Sequence, residues 1–320
     1  MKKPLLDFEK PAAELEQKLE DLIHRLRGQN IDLDPEVRAM RAKIEAVREE
    51  IYRNLTPWQR VQIARHSARP FALDYAHEAF DDFFELRGDR LFGDDAAMPA
   101  GFATIEGNRC VLICQQKGRD VKENLLRNFG SPHPEGYRKA LRLMRLGEKF
   151  SLPVVALIDT PGAYPGVGAE ERHIAEAIAM NIREMMTLRV PIVSVIIGEG
   201  GSGGALGIGV ADRVLMLENA YYSVISPEGC AAILWKHRKH APEAAAALKL
   251  TAADLMELEV VDGVIPEPPG GAHRNPAGAA AALREAITTA LRDLDKLSTD
   301  KLLARRYAKF RAIGRFEERD

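Results

Sequence analysis

The sequence predicts an α/β fold in which pairs of strands, and not only single strands, precede the helices. Short apolar runs of strand length recur between residues 101 and 265. Two of these runs are followed by a second strand before the next helix, which a plain Rossmann alternation would not give. A glycine-rich segment, Gly198 to Gly209, directly follows an apolar run and leads into a helix start, so it is predicted to be a strand–turn–helix connection.

The composition is that of a globular chain without a strong charge bias. The 320 residues carry a formal net charge of −2, so nucleic acid is not indicated as a partner. Acidic residues follow the basic start, and the apolar runs are far shorter than the ~18–20 residues of a membrane span, so we expect neither a signal peptide nor a membrane segment. The spacing of Cys110, Cys114 and Cys230 fits neither a disulfide framework nor a zinc site, which favours buried thiols and a cytoplasmic protein.

Residues 1–55 are predicted to form an N-terminal helical hairpin. Leucines recur at helical spacing between residues 9 and 27, a break follows at 28–33, and Asp34-Pro35 signals a second helix start. Apolar residues then repeat at intervals of three and four up to Ile51, which is typical of a heptad seam. We expect a packing or dimerisation arm without a catalytic role.

Residues 56–265 are predicted to form the core, and residues 266–320 a C-terminal helical region. The stretch from 56 to 100 reads as irregular and acidic, and its carboxylates are more typical of turn caps than of a metal site. The predicted core elements are strands at 102–105 and 111–114 joined by a turn at 106–108, a helix at 137–150, strands at 152–158 and 191–197, a helix from 169, strands at 212–217 and 221–225, a helix from 226, and a small strand at 260–265. A Pro/Gly linker at 266–275 is predicted to precede the last two helices.

The glycine-rich segment fits three functional templates. Gly198-x-Gly200-x-x-Gly203 matches the dinucleotide fingerprint, but no first βαβ unit precedes it. Gly200-x-Ser202-x-Gly204 matches the nucleophile elbow of serine hydrolases. The third template is a main-chain oxyanion hole, which the four glycines around one serine favour because they reduce the site to backbone N–H groups.

The hydrolase template needs an acid and a histidine further along the chain. Asp212 or Asp262 with His237, His240 or His273 would give the required order, although the sequence has no upstream His-Gly-Gly oxyanion loop. A turn that merely packs a helix on the sheet is a further alternative. A second strand–glycine–helix segment in the same core makes that alternative less attractive.

Several segments along nearly the whole chain carry a specific pattern. They are LDFEKPAAELE near the start, GDRLFGDD at 88–95, QKGRDVKENLLRNFG at 116–130, PEGYRKALRLM at 134–144, IDTPGAYPGVGAEER at 158–172, IGEGGSGGALGIGV at 197–210, YSVISPEGCAAILW at 222–235, IPEPPGGAHRNP at 265–276 and RRYAKF at 305–310. In these segments the sequence resembles the carboxyltransferase α subunits of bacterial acetyl-coenzyme A carboxylases. The N-terminal hairpin matches more loosely, and residues 236–250 follow no strong pattern.

The resemblance implies a crotonase-like superhelical core of ββα units with an N-terminal helical hairpin and C-terminal helices. It also implies half of a composite enzyme that transfers a carboxyl group from carboxybiotin to acetyl-CoA, giving malonyl-CoA for fatty acid synthesis. The implied partners are a β subunit that binds most of acetyl-CoA and carries a zinc ribbon in an α2β2 core, the biotin carboxyl carrier protein, and biotin carboxylase. No metal is expected in this chain. A serine hydrolase using Ser202 and a non-catalytic scaffold are the alternatives.

The resemblance further implies roles for individual residues. Gly203 and Gly204 match the oxyanion peptide of the family, whose N–H groups would stabilise negative charge on the ureido oxygen of biotin. Gly200 and Gly201 would shape the approach, and Ser202 would be a spacer. The opposite wall of the biotin channel would be formed by Gly162, Ala163, Tyr164, Pro165 and Gly166, and the candidates for contacts with CoA phosphates or carboxylates are Lys117, Arg119 and Lys122.

Overall fold

The structure, a computed structural model, describes residues 5–26 and 34–314, in which helices surround one eight-stranded sheet. The predicted break at 28–33, the first four residues and the last six lie outside these ranges. The helices are α1 Lys10–Leu26, α2 Asp34–Arg53, α3 Pro57–Ala64, α4 Ala72–Glu78, α5 Val121–Leu126, α6 Pro134–Lys149, α7 Val167–Glu171, α8 Ile174–Thr187, α9 Ser202–Leu206, α10 Pro227–Leu234, α11 Ala241–Ala247, α12 Ala252–Glu257, α13 Pro276–Asp295 and α14 Thr299–Ala312. The strands are β1 Asp82–Glu85, β2 Ala100–Ile105, β3 Asn108–Cys114, β4 Val154–Thr160, β5 Ile192–Gly201, β6 Arg213–Leu217, β7 Tyr221–Ser223 and β8 Gly263–Ile265.

The sheet is mostly parallel, and β5 is an interior strand that pairs with β4, β6 and β7. The strand order is β1-β2-β3-β4-β5-β6-β8, with antiparallel pairing among the first three strands and parallel pairing from β3 onward. All ten residues of β5 are buried, as expected for a parallel strand that is covered on both faces. The predicted α/β class and the hairpin with its turn at 106–108 are confirmed.

The two consecutive strands β6 and β7 do not pair with each other. Residues 193–196 of β5 pair with β6, and residues 199–201 pair with β7. The two short strands therefore lie one after the other along a single long neighbour. This arrangement places β7 beside the glycine-rich end of β5.

The prediction that residues 56–100 are irregular is wrong. This stretch contains α3, α4 and β1, and β1 extends the sheet at its edge. The sequence does carry a signal for α3, because Thr56 directly precedes Pro57 and forms a capping box with Gln59. The N–H of Gln59 donates to Thr56 Oγ1 at 3.2 Å, and the N–H of Thr56 donates to Gln59 Oε1 at 2.7 Å.

The predicted helical hairpin is present as α1 and α2, and a buried carboxylate fastens it to the segment 266–275. Glu9 Oε1 accepts from Tyr52 Oη at 3.0 Å and lies 3.4 Å from His273 Nε2. Burial alone would raise the pKa of Glu9, but His273, Tyr52 and Arg274 outweigh it and lower that pKa to about 2. The segment predicted as a linker is therefore a packed connection. The division at residues 55 and 265 stays a prediction.

The last helix, α14, closes the amino end of the parallel strands through one buried arginine. Arg306 donates to both carboxylate oxygens of Asp212, at 2.8 and 2.6 Å, and to three backbone carbonyls at 2.7 to 2.9 Å. Asp212 in turn accepts from the N–H of Ile192, the first residue of β5. The planar guanidinium suits this role, because it offers five fixed donors.

None of the described helices is both long and apolar enough to cross a bilayer.

Candidate active site

The glycine segment is the carboxyl end of β5 followed by a strand-to-helix junction. The strand extends through Gly201, beyond the predicted end at Ile197, and α9 begins at Ser202 with a φ of 53°. Glycine is needed in the strand because neighbouring main chain and side chains approach closely. A Cβ at Gly198 would lie 2.5 Å from Asp159 Oδ1, and one at Gly201 would lie 2.2 Å from the carbonyl oxygen of Pro161.

The loop that follows β4 packs directly on this junction. A Cβ at Gly204 would lie 2.3 Å from the backbone nitrogen of Ala163 and 2.5 Å from the carbonyl carbon of Gly162. The structure thus brings together the two glycine segments that the sequence singles out. They form one continuous surface, in which Gly204 has no room for any side chain.

Gly203 has the opposite environment. A Cβ at Gly203 would meet no atom within 4 Å, and the same holds at Gly162. Gly203 and Gly204 are the second and third residues of the five-residue helix α9. The N–H groups of a first helical turn have no intrahelical acceptor, so this bare main chain is suited to bind an oxyanion.

The loop 161–166 is held by local contacts. Thr160 Oγ1 accepts from the N–H of Gly162 at 3.1 Å and donates to the carbonyl of Gly130 at 2.7 Å. The Tyr164 ring stacks on His133 with 4.1 Å between centroids. It also lies where a Cβ of Gly166 would be, 2.3 Å from a ring carbon. The predicted channel residues therefore form a preorganised loop, with Pro165 exposed.

A buried charge cluster lies beneath the junction, and sequence reasoning misses most of it. Lys117 Nζ lies 2.6 Å from Asp159 Oδ1 and 2.9 Å from Glu199 Oε1. Arg65 Nε and Tyr221 Oη donate to Glu199 Oε2 at 3.0 and 2.6 Å. The sequence does contain one signal for this cluster: Asp159 and Glu199 lie near the carboxyl ends of the consecutive strands β4 and β5. Parallel strands bring such ends together.

These contacts fix the charge states of Glu199 and Lys117, whereas burial raises the pKa of Asp159 despite its contact with Lys117. Burial alone would raise the pKa of Glu199, but Lys117, Arg65 and Tyr221 lower it to about 2. Burial alone would lower the pKa of Lys117, but the carboxylates of Asp159 and Glu199 raise it. The carboxylate and the ammonium group are therefore charged near neutral pH. Both ion pairs of Lys117 lie inside the protein, so we expect this side chain to shape the site and not to reach a CoA phosphate.

The other two basic candidates lie at the surface. Arg119 pairs with Asp74, and its guanidinium lies 4.8 Å from the centroid of the Phe71 ring. Lys122 is exposed on α5, whose Val121 and Leu125 are exposed as well. Their roles toward CoA stay predictions.

The hydrolase triad is not assembled. Ser202 is exposed at the carboxyl end of β5, whereas Asp212 lies at the amino end of β6 and binds the first N–H of β5. The ten residues of β5 span about 30 Å at ~3.3 Å per residue, so Ser202 and Asp212 lie at opposite ends of the sheet. Asp262 accepts from the N–H of Val214 and from Lys309 at that same distant end.

The candidate histidines are also engaged elsewhere. His237 Nδ1 accepts from the N–H of Lys239 at 3.0 Å, His240 lies 3.5 Å from Glu243, and His273 contacts Glu9. None of these contacts involves Ser202, so the structure offers no base for that hydroxyl among the candidates.

The acidic stretch 81–95 caps turns, as interpreted from the sequence. Asp89 Oδ1 accepts from the N–H groups of Leu91, Phe92 and Gly93 at 2.8 to 2.9 Å. Across residues 5–26 and 34–314, no group of three or more His, Cys, Asp or Glu side chains is arranged to hold a metal ion. The three cysteines are free and buried, and burial raises the pKa of the Cys110 thiol to about 12.

Solved structures share the fold. A transcarboxylase 12S bound to methylmalonyl-coenzyme A and methylmalonic acid superimposes with a TM-score of 0.56 at 22% identity, over 68% of this chain and 40% of that chain. A Pseudomonas malonate decarboxylase hetero-tetramer in complex with coenzyme A gives a TM-score of 0.56 at 17% identity, over 67% of this chain and 86% of that one. This chain thus spans about two fifths of the transcarboxylase chain. The likeness confirms the fold that the motifs imply.

Sequence relatives match over the full length. The α subunit of the acetyl-coenzyme A carboxylase carboxyl transferase from a strain of Thermus thermophilus is 56% identical over 313 residues, which are 98% of this chain and 99% of the relative. The corresponding α subunit from Geobacter metallireducens is also 56% identical, over 98% of each chain. The family described as acetyl co-enzyme A carboxylase carboxyltransferase-like matches residues 5–314. The chain therefore belongs to the acetyl-coenzyme A carboxylase carboxyltransferase family, as the resemblance in its motifs predicts.

Proposed function

We propose that this chain supplies the carboxybiotin half of a composite carboxyltransferase site, and that the N–H groups of Gly203 and Gly204 are its oxyanion hole. Membership of the family makes the chain an enzyme subunit, the carboxyltransferase α subunit that acts in the formation of malonyl-CoA. The observation that carries the site proposal is the contrast between two adjacent glycines. Gly203 faces open space, while Gly204 is packed against the backbone of Gly162 and Ala163.

The residues present fit a biotin group. The main chain is bare at Gly203 and at Gly162, where a Cβ would project into open space. Half-exposed Ala163 and Tyr164 continue this surface with apolar and aromatic area. Carboxybiotin, when bound, supplies the transferred carboxyl group and a ureido oxygen that gains negative charge. Backbone donors aimed at such a charge stabilise it without any change in their own protonation.

Glu199 and Lys117 leave acid–base chemistry to other groups. Glu199 and Lys117 support the two glycine segments from beneath, and both are held in ion pairs. The pKa of Glu199 is lowered to about 2, and the pKa of Lys117 is raised above its ordinary value. Neither group can exchange a proton readily near pH 7. Their role in the proposal is to hold the ends of β4 and β5 together under the glycine turn.

Exposed apolar surface supports completion of the site by a second chain. Leu126 and Phe129 are exposed near α5, and Val224, Ile233 and Leu234 are exposed along β7 and α10. Monomeric proteins rarely leave large apolar patches uncovered. We propose that a β subunit covers these two sets of residues in an α2β2 core, binds most of acetyl-CoA and carries the zinc ribbon. A biotin carboxyl carrier protein and biotin carboxylase would supply the carboxybiotin. The buried free thiols fit a reducing compartment, for which we propose the cytoplasm.

The isolated chain is expected to form no malonyl-CoA from acetyl-CoA and carboxybiotin, because half of the site is missing. Adding the β subunit should restore transfer, measured as radiolabelled carboxyl in malonyl-CoA. A chain carrying the Gly203→Val substitution, mixed with the same β subunit, is the matched control for contaminating activity. Malonyl-CoA formation by the chain alone would contradict the composite site.

The Ser202→Ala variant is expected to keep carboxyl transfer within about twofold of the wild type. Ser202 is exposed, and the acids and histidines of the candidate triads make contacts elsewhere, so none of these triads activates its hydroxyl. Steady-state turnover of the complex with the β subunit measures this. Loss of transfer in a variant that still folds and assembles would show that Ser202 has a catalytic role.

A further inference from the structure

We propose that Gln115 and Tyr137 are positioning residues, which fix the glycine turn through the carbonyl oxygen of Gly204. This inference rests on the proposed function for its catalytic consequence. Gln115 follows β3, and Tyr137 lies in α6, so the two side chains reach the turn from separate elements. Gln115 Nε2 donates to the Gly204 oxygen at 2.8 Å, and Tyr137 Oη donates to the same oxygen at 2.9 Å.

The short helix α9 leaves this carbonyl without a helical donor. In a continuing helix the N–H of Ile208 would donate to the oxygen of Gly204. Here it donates to the oxygen of Ala205 at 3.3 Å, while the N–H of Gly207 donates to the oxygen of Gly203 at 2.9 Å. Two buried side chains thus replace the missing partner, and they do so at the residue whose N–H is proposed to bind the oxyanion.

Both side chains are themselves held in place. The Tyr137 ring packs against Gly207, where a Cβ would lie 2.7 Å from ring carbon Cε1. The carbonyl of Tyr137 accepts from Asn181 Nδ2 at 3.1 Å, and the N–H of Gln115 donates to the carbonyl of Leu157 at 2.9 Å. Burial, followed by the charge of Asp95, raises the pKa of Tyr137, so its hydroxyl stays a donor. We call Gln115 and Tyr137, with their two hydrogen bonds to the Gly204 oxygen, the clamp. Both of its side chains are therefore held rigidly.

The burial of Gln115 points to a specific task. The side chain is fully buried, and its Oε1 has no hydrogen-bond partner among the described residues. A buried amide that satisfies only part of its capacity destabilises the fold relative to an apolar side chain. What this glutamine does provide is a donor to the Gly204 oxygen. Fixing that carbonyl fixes the Gly204–Ala205 peptide plane. This plane adjoins the Gly203–Gly204 plane, which carries the N–H of Gly204, so it restrains the direction of that N–H in a helix of only five residues.

The test compares Tyr137→Phe, Gln115→Met and the double variant with Tyr75→Phe. Tyr75 is equally buried, and its hydroxyl has no hydrogen-bond partner among the described residues, so it controls for the loss of a buried hydroxyl. Each single variant removes one donor and keeps the shape of the side chain. Two measurements are made: amide hydrogen exchange of the segment 198–210 in the free chain, and kcat and KM of the complex with the β subunit.

In each single variant we expect amide exchange in 198–210 to rise, and kcat to fall by about tenfold, the order of one lost hydrogen bond. KM for acetyl-CoA should stay within about twofold, and Tyr75→Phe should change neither readout. Unchanged exchange in the double variant would overturn the clamp. Faster exchange with an unchanged kcat would overturn its role in positioning the oxyanion hole. If the wild-type complex transfers no carboxyl group, the proposed function fails, and hydrogen exchange still decides whether the clamp holds the turn.

Discussion

Replacing Gly203 by valine is expected to lower carboxyl transfer by at least about 100-fold, the effect of losing one oxyanion-hole donor in other enzymes. The valine side chain would enter the open space beside Gly203, where no atom lies within 4 Å of the Cβ position. The substitution should therefore block the bare main chain without disturbing the fold. Turnover of the assembled complex and the thermal midpoint of the free chain measure the two effects.

The matched control is Gly93→Val. Gly93 also has no atom within 4 Å of its Cβ position, and it lies in the turn capped by Asp89. This variant should keep both the fold and most of the activity. Gly204 is less suited to the test, because a side chain there would collide with the backbone of Gly162 and Ala163. Substantial turnover in Gly203→Val would show that the oxyanion is stabilised elsewhere.

The Glu267→Gln substitution is expected to lower the free energy of unfolding by about 3–5 kcal/mol, the usual cost of leaving one charge of a buried ion pair unpaired. Arg69 and Glu267 form a bidentate pair at 2.9 and 2.6 Å, and neither side chain is more than 1% exposed. Arg69 also donates to the carbonyl of Ile197 in β5 at 2.9 Å. Glutamine would leave the guanidinium buried with its charge uncompensated. Equilibrium unfolding in urea measures the loss.

The same pair gives the stability a defined pH dependence. Burial alone would raise the pKa of Glu267, but Arg69 and two backbone N–H groups lower it from 4.5 to about 2. Because the folded-state pKa is the lower one, this stabilisation is present above about pH 4.5 and is lost as the pH falls toward 2. The difference between wild type and Glu267→Gln should shrink over that interval.

The control for Glu267→Gln is Asp293→Asn, which removes an exposed ion pair with Lys296 and should leave the unfolding midpoint unchanged. A Glu267→Gln protein as stable as the wild type at pH 7 would contradict the buried-pair argument.

The strands of the core can be predicted because apolar runs of strand length are a local signal. The same holds for the helical hairpin, whose heptad spacing is unambiguous. The stretch 56–100 escapes prediction because its two helices are short and their signals are caps, not periodicity. The sequence predicts a turn at the glycines of β5, which the structure places in the strand. The sequence does not reveal that Gly198 and Gly201 lack side chains because Asp159 and Pro161 approach them closely.

The candidate site divides in the same way. The motifs identify the glycine pair and the loop 161–166, and the structure brings them into contact. The distinction between Gly203 and Gly204 needs coordinates, because it depends on which neighbour fills the space beside each one. Lys117 is recognisable as a basic residue, but its two carboxylate partners lie on later strands, Asp159 in β4 and Glu199 in β5. Contacts between such distant parts of the chain leave no local pattern.

The buried Arg306 of α14 has a consequence for folding during synthesis of the chain. Arg306 satisfies Asp212 at a separation of 94 residues, together with three carbonyls before β5. On a translating ribosome that adds roughly 5–20 residues per second, the partners of Arg306 wait about 5–20 s for it. During that interval the groups that Arg306 contacts in the folded chain lack this partner and stay open to water. The nascent chain is thus most exposed to misassembly until α14 has been synthesised and can pack over this end of the sheet.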